Sequence, residues 1–311
     1  MRVIRTIRPT DLVALVTFET KAFPNEAKTR DRLAQEPTRP LAVGDILEQW
    51  ITLDNRQTLV VAEGLTIRSL VSARHRAGRS ALEVDWLVPG QEEESGELSS
   101  DMLTQLSESG GLAGARRIFL RMPKESPLLS AAHRAGFLVY GAETLFRRDS
   151  ATSFETPPEL AGLRPREKGD DVGIFRLYHA AVPQSVRVAE GMTFEEWDEA
   201  RDAGAGQQRE YVYLREDHLQ AWLRVTKRSG YGQFQLLVHP QHEEALDTLL
   251  HYALSSFGKH EAIFALIPDF QTRLQLLLTA SWGFGEMARY NTLVRHLTVR
   301  VPEAKLVPAR A

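Results

Sequence analysis

Short runs of apolar and polar residues divide the first half of the chain into alternating strands and helices. Residues 57–63 and 66–74 alternate or run apolar around Gly64, which predicts two strands joined by a short turn. Residues 98–112 carry apolar side chains at helical spacing, and a pair of glycines can end that helix. The pattern also predicts strands over 3–8, 81–88, 117–122 and 138–147, and helices over 11–23 and 127–136.

The strand predicted over residues 81–88 combines apolar and acidic side chains. Strict alternation assigns its residues to two faces, one with Leu82, Val84, Trp86 and Val88 and the other with Glu83, Asp85 and Leu87. Pro89 and Gly90 then end the strand.

The second half repeats the order of elements found in the first. Strands are predicted over 210–214, 218–226, 232–238, 262–268 and 287–301, and helices over 171–182, 243–257 and 272–282. Three short matches recur in the same order at similar spacing: Arg8-Pro9 with Arg164-Pro165, Gly136-Phe137 with Gly283-Phe284, and residues 144–147 with 292–295. Together they indicate a duplicated domain.

A stretch poor in branched aliphatic residues, containing Pro157-Pro158, separates the two copies. We therefore predict an N-terminal domain over 1–149, a linker over 150–161 and a C-terminal domain over 162–311. The expected fold class is α/β (α+β), with a mixed, mostly antiparallel sheet flanked by helices in each domain.

Composition excludes several kinds of chemistry. The 311 residues include no cysteine, which removes disulfides, thiolate metal sites and a cysteine nucleophile. A net charge of −3 gives no bulk attraction to nucleic acid or anionic lipid. No targeting segment or membrane-length apolar run is visible, so we expect a cytoplasmic protein without nucleic-acid or membrane partners. His239 and His242 lack the helical spacing of zinc enzymes, and we expect no metal site.

The order of elements resembles the GCN5-related N-acetyltransferase (GNAT) superfamily, and the two copies resemble its tandem members. Residues 83–89 resemble the fourth strand of that fold, which meets acetyl-CoA, and residues 236–240 resemble the same strand in the second copy. Gly136-Phe137 and Gly283-Phe284 resemble the pair that closes its late helix. The resemblance covers nearly the whole chain. It implies an N-acetyltransferase that uses acetyl-CoA as a substrate and acts on a small-molecule or peptide amine.

In this family a Gly-rich turn presents backbone N–H groups to the CoA pyrophosphate. The resemblance assigns cofactor contacts in the first half to Leu87, Val88, Gly90, Ser95, Gly96 and Ser99. Glu92, Glu93 and Glu94 add three negative charges to the same turn, so they must point away from a bound polyanion. The corresponding turn of the second half contains no glycine, and we therefore expect the active site in the first half.

The resemblance assigns the general base to Glu83 or to Asp85, acting through water. Neighbouring carboxylates on one strand face can raise each other's pKa toward a useful value. The alternative is that both carboxylates face solvent or pair with Arg74 or Arg76 on the adjoining strand. The strand that matches this one in the second half has no carboxylate.

The family's usual tyrosine acid is missing from both halves, because its positions hold Ala132 and Thr279. Tyr140 and Tyr290, which follow the two Gly-Phe pairs, are the candidate replacements, although an aromatic residue on a late strand is typical of a core position. Tyr140 belongs to the half in which we expect the active site.

A second function stays open beside catalysis. A duplicated GNAT-like protein that has lost the pyrophosphate turn can serve as a module that binds a small ligand or a protein partner. The three glutamates at 92–94 and the two missing tyrosines favour this alternative, whereas Glu83, Asp85 and Gly96 favour the enzyme. A homodimer is also left open.

Overall fold

The computed structural model describes residues 2–11, 14, 15, 18, 24–33, 56–64, 66–90, 95–149, 159–202, 206–257 and 261–298. Its strands are β1 (Arg2–Thr6), β2 (Arg56–Glu63), β3 (Thr66–His75), β4 (Ala81–Val88), β5 (Arg117–Pro123), β6 (Leu138–Arg148), β7 (Leu163–Pro165), β8 (Gln207–Arg215), β9 (His218–Arg228), β10 (Tyr231–Val238), β11 (Ala262–Pro268) and β12 (Gly285–His296). Its α-helices are α1 (Ser95–Leu112), α2 (Leu129–Arg134), α3 (Asp171–Ala181), α4 (Gln184–Glu190), α5 (Phe194–Ala200), α6 (Leu246–Ser255) and α7 (Thr272–Ala280).

Most predicted elements are confirmed to within a few residues, including both Gly-Phe stops after α2 and α7. Gly136 and Gly283 have φ of 79° and 67°, a left-handed conformation that favours glycine at a helix end. The helix predicted over 243–257 is an exception, because Pro240–Ala245 forms a 3₁₀ segment and the α-helix begins only at Leu246. Most of the helix predicted over 11–23 and most of the predicted linker lie outside the described residues.

The described strands form one mixed sheet in the order β1-β2-β3-β4-β5-β12-β6-β11-β10-β9-β8-β7. The last strand of each half is exchanged. β12 of the second half pairs with β5 of the first, and β6 of the first half pairs with β11 of the second. Because β12 and β6 also pair with each other, the sheet runs through both halves without a break. Residues from both halves therefore meet at its centre.

The predicted strand faces of β4 are wrong beyond Val84. The register with β3 pairs Ser72 with Trp86 and Ala73 with Val84, so Asp85 is an extra residue at a β-bulge. After the bulge, Leu87 packs with Val84 in the core beside α1, and Trp86 packs in a second apolar cluster instead. One inserted residue thus moves every later side chain to the other face.

A matching corner at the start of each half confirms the duplication in detail. Arg5 donates to both carboxylate oxygens of Asp11 at 2.6 and 2.7 Å, and Arg164 does the same to Asp170 at 2.8 and 2.7 Å. In each corner the aspartate also accepts a backbone N–H three residues before it. Arg164 is therefore the counterpart of Arg5, and the sequence match of Arg164 with Arg8 was displaced by three residues.

We expect Asp11→Asn to lower the free energy of unfolding by about 1–3 kcal/mol, since it removes a bidentate, charge-assisted contact. The hydrogen bonds from Arg5 hold the pKa of Asp11 below its usual range. This contribution is therefore complete above the unfolded pKa of about 3.9 and is lost as pH falls below it. Urea unfolding at pH 7 and pH 3 measures both effects.

Asp149→Asn is the control, because that carboxylate is 78% exposed and, among the described residues, pairs only with Arg147 at the surface. The control should change the free energy of unfolding by less than about 0.5 kcal/mol. Equal losses in the two variants would contradict the assignment.

No helix in the described part of the chain combines the length and the apolar character needed to cross a lipid bilayer.

Candidate functional site

Two gaps open in the sheet, one in each half, where a pair of parallel strands separates. In the first half, β4 and β5 pair only from Ala81 opposite Arg117 to Glu83 opposite Phe119. In the second half, β10 and β11 pair only from Tyr231 opposite Ala262 to Phe234 opposite Ala265. We call these openings the first and second strand gaps. The backbone groups beyond each last pair have no partner on the opposite strand and can bind something else.

The first strand gap is filled by residues 24–29 of the same chain. The Asn25 side chain donates to the Asp85 carbonyl and accepts from the Leu87 N–H, both at 2.8 Å. The Glu26 N–H donates to the Leu87 carbonyl at 2.9 Å, and the Lys28 N–H donates to the Arg121 carbonyl at 2.8 Å. The segment therefore bridges β4 and β5 as an inserted strand would.

This insertion occupies backbone groups of residues that the family resemblance assigned to acetyl-CoA binding. Both backbone groups of Leu87 are engaged by residues 25 and 26, and the Val88 carbonyl accepts from the Ser69 hydroxyl at 2.8 Å. Gly90 packs so closely on the Arg68 carbonyl that an added Cβ would lie 2.5 Å from its oxygen. Both backbone groups of Leu87 and the carbonyl of Val88 are therefore already engaged, and Gly90 has no room for a side chain.

The helix after β4 begins at Ser95, as the predicted phosphate turn requires. The Gly96 carbonyl accepts from Arg134 at 2.9 Å, which ties the start of α1 to α2. Ser99 is fully buried, and its hydroxyl has no hydrogen-bond partner among the described residues. The three glutamates at 92–94 lie outside the described residues, so their orientation toward this turn stays a prediction.

Glu83 is buried under arginines, as the structural alternative anticipated. Only 2% of it is exposed, and its carboxylate lies 3.1 Å from Arg74, 3.4 Å from Arg76 and 3.9 Å from Arg121. Burial and the nearby Asp202 raise its pKa, and the three guanidinium groups oppose that rise. The carboxylate is thus held inside a charge network.

Asp85 is also enclosed by cations. Its carboxylate is fully buried and lies 2.6 Å from Arg56 and 3.4 Å from Arg32. Neither Glu83 nor Asp85 lines the two cavities described next. A role of either one as the base stays a prediction that this geometry does not favour.

The second strand gap leads into a cavity of about 350 Å³, which we call the main cavity. Leu236 and Leu237 of β10 form one side, and Ile267 of β11 forms the other. The Leu236 carbonyl accepts from the Gln271 side chain at 2.8 Å, which places this edge of β10 toward the gap. Pro183 and Ser185 line the cavity and are exposed, so it opens to solvent at the start of α4.

Two titratable groups meet inside the main cavity. The Tyr140 hydroxyl donates to the Glu190 carboxylate at 3.2 Å. Burial is the largest effect on the pKa of Glu190 and raises it above the usual glutamate range. Burial and the charge of Glu190 raise the pKa of Tyr140, so the phenol stays protonated. A carboxylate of raised basicity in contact with a phenol can accept and return a proton.

A second cavity of about 180 Å³ shares Tyr140 and Glu190 with the main cavity, and we call it the inner cavity. Its floor is a network of buried ion pairs. Glu143 accepts from Arg121 at 2.6 Å and from Arg30 at 3.1 Å, and Arg30 also donates to Asp202 at 3.2 Å. Because Arg30 comes from the first half and Asp202 from the second, the network joins the two halves beneath the site.

Of these two cavity residues, the sequence analysis proposed Tyr140, whose role stays a prediction, and did not propose Glu190. The sequence did contain a signal for Glu190. A carboxylate in the last turn of a helix interacts unfavourably with the helix dipole, which indicates a role other than stabilising the helix. Gly191 follows it, and a Cβ there would lie 2.4 Å from the Trp197 nitrogen, so the chain turns tightly here. That turn holds Glu190 at the cavity wall.

No protein-family model and no curated protein matches the sequence. Solved structures match along nearly its whole length. A GCN5-related N-acetyltransferase from Sphaerobacter thermophilus is 14% identical with a TM-score of 0.56, and the match covers 95% of each chain. A tandem GNAT protein from the clavulanic acid biosynthesis pathway is 15% identical with a TM-score of 0.54, over 97% of this chain and all of that one. The chain has a tandem GNAT fold.

A third solved structure also matches this fold. A GCN5-related N-acetyltransferase from Kribbella flavida is 14% identical with a TM-score of 0.50, over 95% of this chain and 71% of that one. The resemblance inferred from the sequence and the expected fold class are thus confirmed at the level of the fold. In the tandem GNAT fold described here, the first strand gap is closed by the chain itself and the second leads into a cavity.

Proposed function

We propose that the protein transfers an acyl group from an acyl-CoA thioester, acetyl-CoA being the expected donor, to an amine in the main cavity. One observation supports this most directly. Beyond Phe234, β10 has no described strand partner on the side of β11, and this edge lies beside a cavity that holds the Tyr140–Glu190 pair. The Leu236 carbonyl of this edge is bound by the Gln271 side chain. A strand edge can align the thioester arm through backbone hydrogen bonds, and the pair can move the proton that the reaction releases.

This proposal places the reaction at the second strand gap, where the exchanged strand β6 of the first half contributes Tyr140. The sequence led us to expect an active site in the first half. The backbone groups of Leu87 that would align a thioester arm in the first half bind residues 25 and 26 instead. Glu83 and Asp85 are each paired with arginines. The second gap offers the edge, the cavity and an unpaired carboxylate together, and it is therefore the better candidate.

The chain's own groups would divide the reaction as follows. Glu190 accepts a proton from the substrate ammonium, which leaves a nucleophilic amine. Attack of its nitrogen on the thioester carbon forms the C–N bond and breaks the C–S bond. Tyr140 then donates its proton to the departing thiolate and recovers one from Glu190. The ammonium thus loses two protons in all. One passes through Glu190 and Tyr140 to the thiol, the other leaves the acylated nitrogen for solvent, and both residues return to their starting state.

The phosphate end of acyl-CoA fits the second half less well than the thioester end. Pro240–Ala245 holds no glycine, and Glu243 and Glu244 lie just before α6. Arg215 lies 3.3 Å from Glu244 and Arg273 lies 3.8 Å from Glu243, so cations are present but already paired. These two arginines are the side chains that would bind the phosphates.

The same turn favours a second candidate function, a ligand-binding module without acyl transfer. A GNAT fold that has lost CoA binding would show both a filled first strand gap and a turn without glycine at Pro240–Ala245. Under this alternative the main cavity still binds a small molecule, but acetyl-CoA has no effect on the protein.

Calorimetric titration of the full chain with acetyl-CoA tests the proposal. We expect one molecule bound per chain with a Kd below about 100 µM, or about −5.5 kcal/mol. Ser185→Trp should weaken binding at least about tenfold, since Ser185 is exposed at the cavity mouth. Gln184→Trp is the matched control, because its neighbouring position on α4 is exposed but does not line the cavity.

Two results would count against this assignment. No heat at millimolar acetyl-CoA, with no product from any amine, would support the ligand-binding module. Binding that Ser185→Trp leaves unchanged would return the site to the first half.

A further inference from the structure

Tyr178 lines both the main cavity and the inner cavity, and its hydroxyl is the feature of interest. It is buried and has no hydrogen-bond partner within the part of the chain that the structure describes. A buried hydroxyl without a partner is costly and uncommon, so each instance calls for an explanation. Burial and the nearby Glu190 charge raise the pKa of Tyr178, which therefore stays neutral. A neutral phenol here can accept a hydrogen bond from a bound donor.

The charges around the main cavity favour a cation. Among the described residues, Glu143, Glu190 and Asp269 line it together with one guanidinium, that of Arg30. Arg30 is already engaged by Glu143 and Asp202. In the described ranges the Glu190 carboxylate forms no ion pair with a cation and accepts a hydrogen bond only from the Tyr140 hydroxyl, while the Glu190 backbone carbonyl accepts from Arg117. An ammonium group would neutralise this carboxylate and donate to the Tyr178 oxygen at the same time.

The rest of the main cavity is apolar. Val182 and Val186 line it from the side of α3 and α4, Leu237 and Ile267 from the sheet, and Phe270 from the turn after β11. A carboxylate on the substrate would be buried against this apolar wall without a cation to pair with, because Arg30 is already paired with Glu143 and Asp202. Burying an unpaired charge is expensive, so the wall selects against acidic substrates.

We propose that the acyl acceptor is a small primary amine on an apolar or aromatic skeleton without an acidic group. Glu190 and the Tyr178 hydroxyl bind its ammonium, and the aliphatic and Phe270 wall binds its skeleton. Tyr178 is then a specificity-determining residue. This inference rests on the proposed function, because it names the substrate class of the same site.

A matched pair of amines tests the substrate class. 2-Phenylethylamine and L-phenylalanine differ by one carboxylate, and spermidine adds charge without an aromatic ring. With full-length protein and acetyl-CoA, we expect kcat/KM for 2-phenylethylamine to exceed that for the other two at least about 100-fold. Equal rates, or a preference for L-phenylalanine or spermidine, would overturn the inference and leave the proposed function standing. No consumption of acetyl-CoA with any amine would overturn both.

Tyr178→Phe tests the residue. We expect the KM for 2-phenylethylamine to rise about tenfold, with little change in kcat and no change in the Kd of acetyl-CoA. The fold should persist, since the variant removes a hydroxyl that has no partner. Tyr231→Phe is the control, because its hydroxyl is also buried without a described partner but lines neither cavity. An unchanged KM in Tyr178→Phe, or the same rise in both variants, would remove Tyr178 from recognition.

Discussion

Glu190→Gln should lower kcat at least about 100-fold while leaving the Kd of acetyl-CoA nearly unchanged, since the amide cannot accept the ammonium proton. The pH profile should change with it. In the parent protein, kcat/KM rises as pH rises through the pKa of Glu190, because the base must be deprotonated. Because burial raises this pKa, the increase in kcat/KM is centred at a pH above the usual glutamate pKa of about 4.3. The variant should lack this acid limb.

Steady-state acetyl transfer between pH 5 and pH 9 measures both effects. Glu195→Gln is the matched control, because Glu195 is exposed on α5 and lines neither cavity. It should retain the parent rate and the parent profile. A Glu190→Gln variant that keeps the acid limb would show that another group is the base, and Glu83 would then be the first to examine.

Glu143→Ala should lower the free energy of unfolding by about 3–5 kcal/mol, the largest stability effect that we expect in this protein. Glu143 accepts from Arg121 at 2.6 Å and from Arg30 at 3.1 Å, and its removal leaves two enclosed guanidinium groups without this partner. Because Arg30 and Arg121 lie in the first half and the network extends to Asp202 in the second, the variant should weaken the contact between the halves.

Urea denaturation followed by circular dichroism provides the measurement. Glu286→Ala on the adjacent strand β12 is the control, since Glu286 is 42% exposed and forms a surface pair with Arg289. A loss of no more than about 1 kcal/mol is expected there. If Glu143→Ala does not fold, Glu143→Gln keeps a hydrogen-bond acceptor and should lose less. A Glu143→Ala loss as small as that of the control would show that the buried network contributes no more than a surface pair.

The buried network and the filled first gap have a common consequence for function. Residues 24–33 contact β4 through Asn25 and β5 through the Lys28 N–H, and they supply Arg30 to the inner cavity. The segment that fills the first strand gap therefore also helps to form the wall of the inner cavity. If the proposed function holds, this arrangement gives the two copies of one fold different roles in one chain.

Local sequence patterns were sufficient for most of the secondary structure. Ala81–Val88 and Ala262–Pro268 were predicted with their observed bounds, because strand alternation and flanking glycine or proline are local signals. The 3₁₀ segment at Pro240–Ala245 was missed, since acidic residues there are equally typical of a first helical turn. The tandem GNAT fold could be recognised because the order of elements repeats.

The sequence by itself determined most strands and helices and the duplication, because each depends on residues close together in the chain, and the family resemblance added Tyr140 as a candidate. Only the tertiary structure decided which gap is open. The bulge at Asp85, the insertion of residues 24–29 and the pairing of Tyr140 with Glu190 each depend on contacts between distant segments. Periodicity carries no information about such contacts, since the hydrogen bonds that form them leave the local pattern of apolar and polar residues unchanged.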